Sequence, residues 1–68
     1  EMCIETAIAL KKRFIETLGD KIGSDVSIRS TNGLYKVVAG KSMTEQQAKS
    51  AVAIIRDALN IKAFTLKE

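Results

Sequence analysis

The amino-acid sequence predicts a single mixed α+β domain spanning residues 1–68, and three observations support this. Two stretches, residues 4–18 and 44–59, carry apolar residues at three- and four-residue steps, the spacing of amphipathic helices. The residues between them alternate apolar and polar side chains, as half-buried strands do. Asn32-Gly33 divides that alternating stretch, and this dipeptide favours a tight hairpin turn. Two helices packed on one face of an antiparallel sheet are therefore expected.

The first helix is predicted over residues 4–18. Its apolar positions are Ile4, Ala7, Ile8, Leu10, Phe14, Ile15 and Leu18. Gly19 follows the last of these, and Gly23 comes soon after. Because glycine adopts the left-handed conformation that ends many helices, we expect the helix to stop between residues 18 and 22.

Two strands are predicted on either side of the Asn32-Gly33 turn, over residues 25–31 and 34–41. On the second strand, Tyr35, Val37 and Ala39 share one face. We expect that face to point into the core. The opposite face of the hairpin then carries Leu34, Lys36, Val38, Ser27 and Arg29.

A second helix is predicted to begin at Thr44. Thr44 and Gln47 are spaced so that each side chain can bond the other residue's backbone N–H. The apolar stripe of this helix, expected to pack on the sheet, is Ala48, Ala51, Val52, Ile55, Ala58 and Leu59. Asn60 is expected to cap its end.

A last short strand is predicted over residues 61–66, which gives the order helix, strand, strand, helix, strand. No strand is predicted before Ile4. The pattern is that of a βαββαβ domain whose first strand is missing, so we expect an incomplete sheet and a fragment of a longer chain.

The composition gives little support to catalysis or to metal binding. The sequence has no histidine and one cysteine, Cys3, so the usual bases and zinc ligands are lacking. No cofactor, no metal and no enzymatic activity are expected, and Cys3 is expected to pack as a small apolar residue near a chain end. The net charge is +3, with cations and acids interleaved, which does not favour a nucleic-acid partner.

Several stretches together are similar to a known family of domains. Residues 32–40 (NGLYKVVAG) resemble the second-repeat core of SPOR (sporulation-related repeat) domains, where a glycine, an aromatic-containing strand and a closing glycine recur in that order. Residues 44–48 (TEQQA) resemble the helix start of that family, and residues 60–64 (NIKAF) resemble its closing strand. Residues 4–19 are similar to its first-repeat helix.

The resemblance implies a ferredoxin-like βαββαβ fold in the bacterial cell envelope, periplasmic or extracytoplasmic. It also implies binding to peptidoglycan glycan strands stripped of their stem peptides, through the exposed face of the sheet. The positions of this sequence that match the outward face are Arg29, Leu34, Lys36, Val38 and Phe64.

Three other interpretations of the same face are open. The first is simple solvent exposure, because antiparallel sheets commonly have one solvated face. The second is an RNA-binding domain, in which exposed aromatic residues stack on bases. The third is a protein-interaction or dimerisation domain, with a strand-swapped or edge-paired homo-oligomer as its assembled form.

Overall fold

A computed structural model describes residues 2–40 and 43–66 and confirms the α+β class. Within these ranges the order of elements is helix, strand, strand, helix. The elements are α1 (Ile4–Leu18), β1 (Val26–Thr31), β2 (Leu34–Ala39) and α2 (Glu45–Leu59). The predicted strand residue Lys41 lies outside the described residues.

β1 and β2 form an antiparallel hairpin around the predicted turn. Asn32 and Gly33 both have positive φ angles, 53° and 79°, as a two-residue turn of this kind requires. The register pairs Val26 with Ala39 and Arg29 with Lys36. A two-residue turn determines which side chains share each face of the hairpin.

α1 ends at Leu18, within the predicted interval, but Gly19 does not adopt the expected left-handed conformation. Gly19 has φ −56° and ψ −36°, and its N–H donates to the Ile15 carbonyl at 2.9 Å. The helical turn therefore continues through Gly19. The positive φ occurs at Gly23 instead, at 110°, where the chain turns towards β1.

The predicted capping box of α2 is present. The Gln47 N–H donates to Thr44 Oγ1 at 3.1 Å, and the Thr44 N–H donates to Gln47 Oε1 at 2.9 Å. At the other end, Asn60 adopts the left-handed conformation with φ 53°, and its N–H donates to the Arg56 carbonyl at 2.9 Å. Both ends of the helix thus have backbone groups satisfied, as the sequence predicts.

The core lies between α1, the inward face of the hairpin and the end of α2. It is built on a cluster of four buried residues, Phe14, Leu18, Val26 and Leu59. Val37 and Ala39 pack against this cluster, which confirms that they face inward. Leu18 and Leu59 are each 1% exposed, so burial of Leu59 holds the end of α2 to the rest of the domain.

The prediction that α2 packs on the sheet is wrong. No Cα of α2 comes within 8 Å of a Cα in either strand, whereas α2 does contact α1. Arg13 on α1 supports this helix contact, because its Nη2 donates to the Leu59 carbonyl at 2.9 Å. A gap therefore separates α2 from β2.

The prediction of a strand over residues 61–66 is also wrong, since this described segment has no regular secondary structure. Arg56 holds the segment to α2 instead, with Nε and Nη2 donating to the Ala63 carbonyl at 3.1 and 2.6 Å. A strand forms only where a neighbouring strand accepts its hydrogen bonds, and within residues 2–40 and 43–66 no backbone hydrogen bond joins residues 61–66 to β1 or β2.

Replacing Leu59 should reveal how much the docking of α2 depends on its last turn. Leu59→Ala removes buried atoms from the core cluster and should cost about 2–5 kcal/mol of unfolding free energy. Ile54→Ala is the matched control on the same helix, because Ile54 is exposed and should change stability by less than about 0.5 kcal/mol. Urea unfolding followed by circular dichroism measures both, and equal effects would contradict the described core.

Candidate functional site

The outward face of the hairpin carries the predicted site residues of both strands. Arg29 lies directly opposite Lys36, Ser27 lies opposite Val38, and Leu34 lies opposite Thr31. The structure thus places Arg29, Leu34, Lys36 and Val38 on the face away from the core, as expected from the alternation.

Arg29 and Lys36 form a cross-strand pair of like charges. Side chains directly opposite one another in an antiparallel pair have Cβ atoms about 4.5–5.5 Å apart, and like charges at this position destabilise the sheet. Arg29 is exposed and Lys36 is half-buried.

Apolar side chains flank the two cations. Leu34 is 44% exposed at the turn end of β2, and Val38 is half-buried two positions beyond Lys36. The resulting surface combines hydrogen-bond donors with a small apolar area. Neither α1 nor α2 covers this face, because α1 packs on the inward side of the strands and α2 does not contact them.

Phe64 does not lie on the sheet, contrary to the expectation of a closing strand. It is 79% exposed and belongs to the irregular segment 61–66. Phe64 nevertheless lines the same open groove, of about 990 Å³, as Arg29, Lys36 and Val38. Leu34 is not among the residues that line this groove.

The groove itself was missed by sequence reasoning. It runs between β2 and residues 61–66, and apolar side chains from both helices line it, namely Leu10, Phe14, Val52 and Ile55. The signal that could have located it is the apolar stripe of each helix, which includes the groove residues Leu10, Phe14, Val52 and Ile55.

Met2 lies at the free edge of β2. Its N–H donates to the Tyr35 carbonyl and its own carbonyl accepts from the Tyr35 N–H, both at 2.8 Å. The two residues form an isolated antiparallel bridge. Main chain thus already pairs with β2 on the side opposite β1, at one end of the groove.

Comparison of the chain with protein-family models, with curated proteins and with solved structures finds no match. The likeness to SPOR domains therefore rests on the sequence stretches described above.

Among residues 2–40 and 43–66, no three histidine, cysteine, aspartate or glutamate side chains come together in a way that could hold a metal ion.

Cys3 is exposed, so the expectation that it packs as a small apolar residue is wrong. It is the residue that precedes α1, and its Sγ lies 3.2 Å from Thr6 Oγ1. Hydrogen bonds from the Thr6 side chain and then from the Thr6 backbone N–H hold the pKa of the Cys3 thiol below its usual value. These bonds favour the thiolate, which is the reactive form.

Alkylation kinetics test this effect. Because the pKa of Cys3 is lowered, its reaction with iodoacetamide should reach half-maximal rate at a lower pH than that of cysteine in an unstructured peptide. Thr6→Ala should move this midpoint to higher pH. Thr17→Ala, at an exposed position on the same helix, should leave it unchanged, and an equal shift in both variants would contradict the role of Thr6.

Proposed function

We propose that the chain is a non-catalytic module that binds peptidoglycan glycan strands lacking stem peptides. The observation that carries the proposal is the outward face of the hairpin, which neither described helix covers and where the Arg29–Lys36 pair lies between Leu34 and Val38. The ligand class comes from the resemblance of the sequence to SPOR domains.

The chemistry of this face suits a saccharide chain. Sugar hydroxyl and acetamido oxygens accept hydrogen bonds from cationic donors, and Arg29 is the better donor because its planar guanidinium directs several N–H groups at once. The C–H faces of pyranose rings can rest against Leu34 and Val38. Phe64, on the far wall of the groove, offers a further apolar surface to a ligand that extends across it.

RNA is a weaker candidate for the same face. Sheet-based RNA-binding domains stack bases on exposed aromatic residues, and the sequence has three aromatic residues. Phe14 is buried and Tyr35 shares the inward side of β2 with Val37. Only Phe64 is well exposed, and it lies off the sheet.

A location in the bacterial cell envelope is part of the same proposal, since peptidoglycan is found there. Within residues 2–40 and 43–66, neither helix is long and apolar enough to cross a bilayer.

Binding to purified sacculi, with and without amidase treatment, tests the proposed function. The amidase-treated sacculi, whose glycan strands lack stem peptides, should bind more of the chain. Arg29→Ala and Lys36→Ala should each lower the affinity about tenfold, since a hydrogen bond from a charged donor is worth about 1.5–3 kcal/mol. Lys12→Ala, which removes an exposed cation from α1, is the charge-matched control and should bind as the unmodified chain does.

Salt dependence separates this proposal from RNA binding. Glycan binding should survive moderate salt, because it does not release counterions from a polyanion, whereas RNA binding would weaken steeply. If Arg29→Ala and Lys36→Ala remain folded and bind sacculi as well as Lys12→Ala does, the proposed face is wrong.

A further inference from the structure

The turn between β1 and β2 places an electrophile beside a nucleophile. Asn32 and Gly33 are both exposed to water. The side-chain amide of an asparagine is electrophilic at Cγ, and the backbone nitrogen of the next residue is the nucleophile nearest to it along the chain. A cyclic imide that joins these two atoms forms without help from any other residue. Its formation depends on how freely the Gly33 nitrogen can approach Asn32 Cγ.

The structure leaves that approach open. Within residues 2–40 and 43–66, no hydrogen bond engages the Asn32 side chain or the Gly33 N–H. Apart from its two neighbours in the chain, no residue has a heavy atom within 4 Å of the point where a Gly33 Cβ would stand. Neither steric cover nor a competing hydrogen bond therefore protects the reacting atoms.

Ring closure requires the main chain of Asn32 to rotate out of its turn conformation. Gly33 has φ 79°, and glycine accepts φ of either sign, so it can follow this rotation without a side-chain clash. Exposed turns open locally at little cost in free energy. The rest of the hairpin is held by the strand pairs that run from Thr31–Leu34 to Val26–Ala39, so the movement is confined to the turn.

Asn60 shows the opposite surroundings within the same chain. It is exposed and has the same φ of 53° as Asn32. The next residue, however, is Ile61, which packs against the core cluster and whose branched Cβ crowds its own backbone nitrogen. The Asn60 N–H also donates to the Arg56 carbonyl at 2.9 Å. Asn60 is therefore an internal control for the effect of Gly33.

We propose that Asn32-Gly33 is a modification site at which the folded chain deamidates spontaneously and forms isoaspartate. The Gly33 nitrogen bonds to Asn32 Cγ, the Cγ–Nδ2 bond breaks, and Nδ2 leaves as ammonia with the proton from the Gly33 nitrogen. Water then adds to one of the two ring carbonyls, and the bond from that carbonyl to the ring nitrogen breaks. Opening at Cγ gives aspartate, whereas opening at the main-chain carbonyl gives isoaspartate.

The isoaspartate product is incompatible with the turn. Its main chain runs through Cβ and Cγ and so contains an additional backbone atom, while the register of a hairpin depends on the length and type of its turn. The pairing of Thr31 with Leu34 next to the turn is therefore lost first. Leu34 belongs to the outward face, so the modification limits how long that face keeps its shape. This inference concerns the turn and holds whether or not the face binds glycan.

Prolonged incubation of the folded, ¹⁵N-labelled 68-residue chain tests the proposal. Peptide mapping by mass spectrometry should show that residue 32 loses its amide while Asn60 keeps its own. The reaction should be faster in mildly alkaline than in mildly acidic buffer, because the deprotonated nitrogen attacks. Since local opening of the turn costs little, the rate in the folded chain should lie within about tenfold of the rate in urea.

Two variants separate the effects of charge and of backbone length. Asn32→Gly removes the amide and keeps a dipeptide that favours the same turn, so its amide signals should stay constant throughout the incubation. Asn32→Asp carries the new charge without the additional backbone atom, and it should retain the pairing of Thr31 with Leu34. In the isoaspartate form, the NMR signals of Thr31 and Leu34 should shift away from their positions in both variants.

Three results would overturn the proposal. One is retention of the Asn32 amide in the folded chain while the chain in urea loses it, because the hairpin would then protect the site. Another is loss of the Asn60 amide as fast as that of Asn32. The third is an isoaspartate form whose Thr31 and Leu34 signals match those of Asn32→Asp, since the turn would then accommodate the product.

Discussion

The alternating direction of the main-chain groups along β2 constrains how the rest of the domain is arranged. Lys36 and Val38 direct their backbone bonds to β1 and their side chains outward. Val37 and Ala39 direct their backbone N–H and C=O groups away from β1 and their side chains into the core. Because β1 satisfies only one side of β2, the helices pack around a hairpin that has a groove beside it, and α2 reaches the core through Leu59 and not through the sheet.

The two surfaces of β2 therefore have different chemistry. The outward face presents two cations and small apolar side chains that neither α1 nor α2 covers, which is the surface proposed to bind a glycan strand. The other edge of β2 presents the N–H and C=O groups of Val37 and Ala39, which have no hydrogen-bond partner within residues 2–40 and 43–66. Lys36 contributes to both, since its side chain lies on the outward face and also lines the groove.

Local sequence signals predicted those parts of the fold that local interactions determine. The positive φ angles at Asn32-Gly33 and the reciprocal bonds of Thr44 and Gln47 arise within four residues, so the hairpin and the start of α2 could be predicted. The end of α1 was placed well, but the left-handed glycine was Gly23 and not Gly19. Residues 61–66 alternate as a strand does, yet a strand also needs a neighbour, and sequence alternation alone does not provide one.

The same distinction applies to the candidate site. Arg29, Leu34, Lys36 and Val38 could be assigned to one face because a two-residue turn and a two-residue period determine it. Phe64 could not be placed, since its position depends on how Arg56 holds residues 61–66. The groove could not be predicted either, because it depends on the distance between β2 and α2.

Amide hydrogen exchange of the isolated chain tests the pairing of β2 most directly. The amides of Lys36 and Val38, which bond to β1, should exchange slowly, whereas those of Val37 and Ala39 should exchange many times faster despite lying in the same strand. Fast and slow exchange should therefore alternate along β2. Equal protection of all four amides would contradict it, because the edge beside the groove would then already be paired.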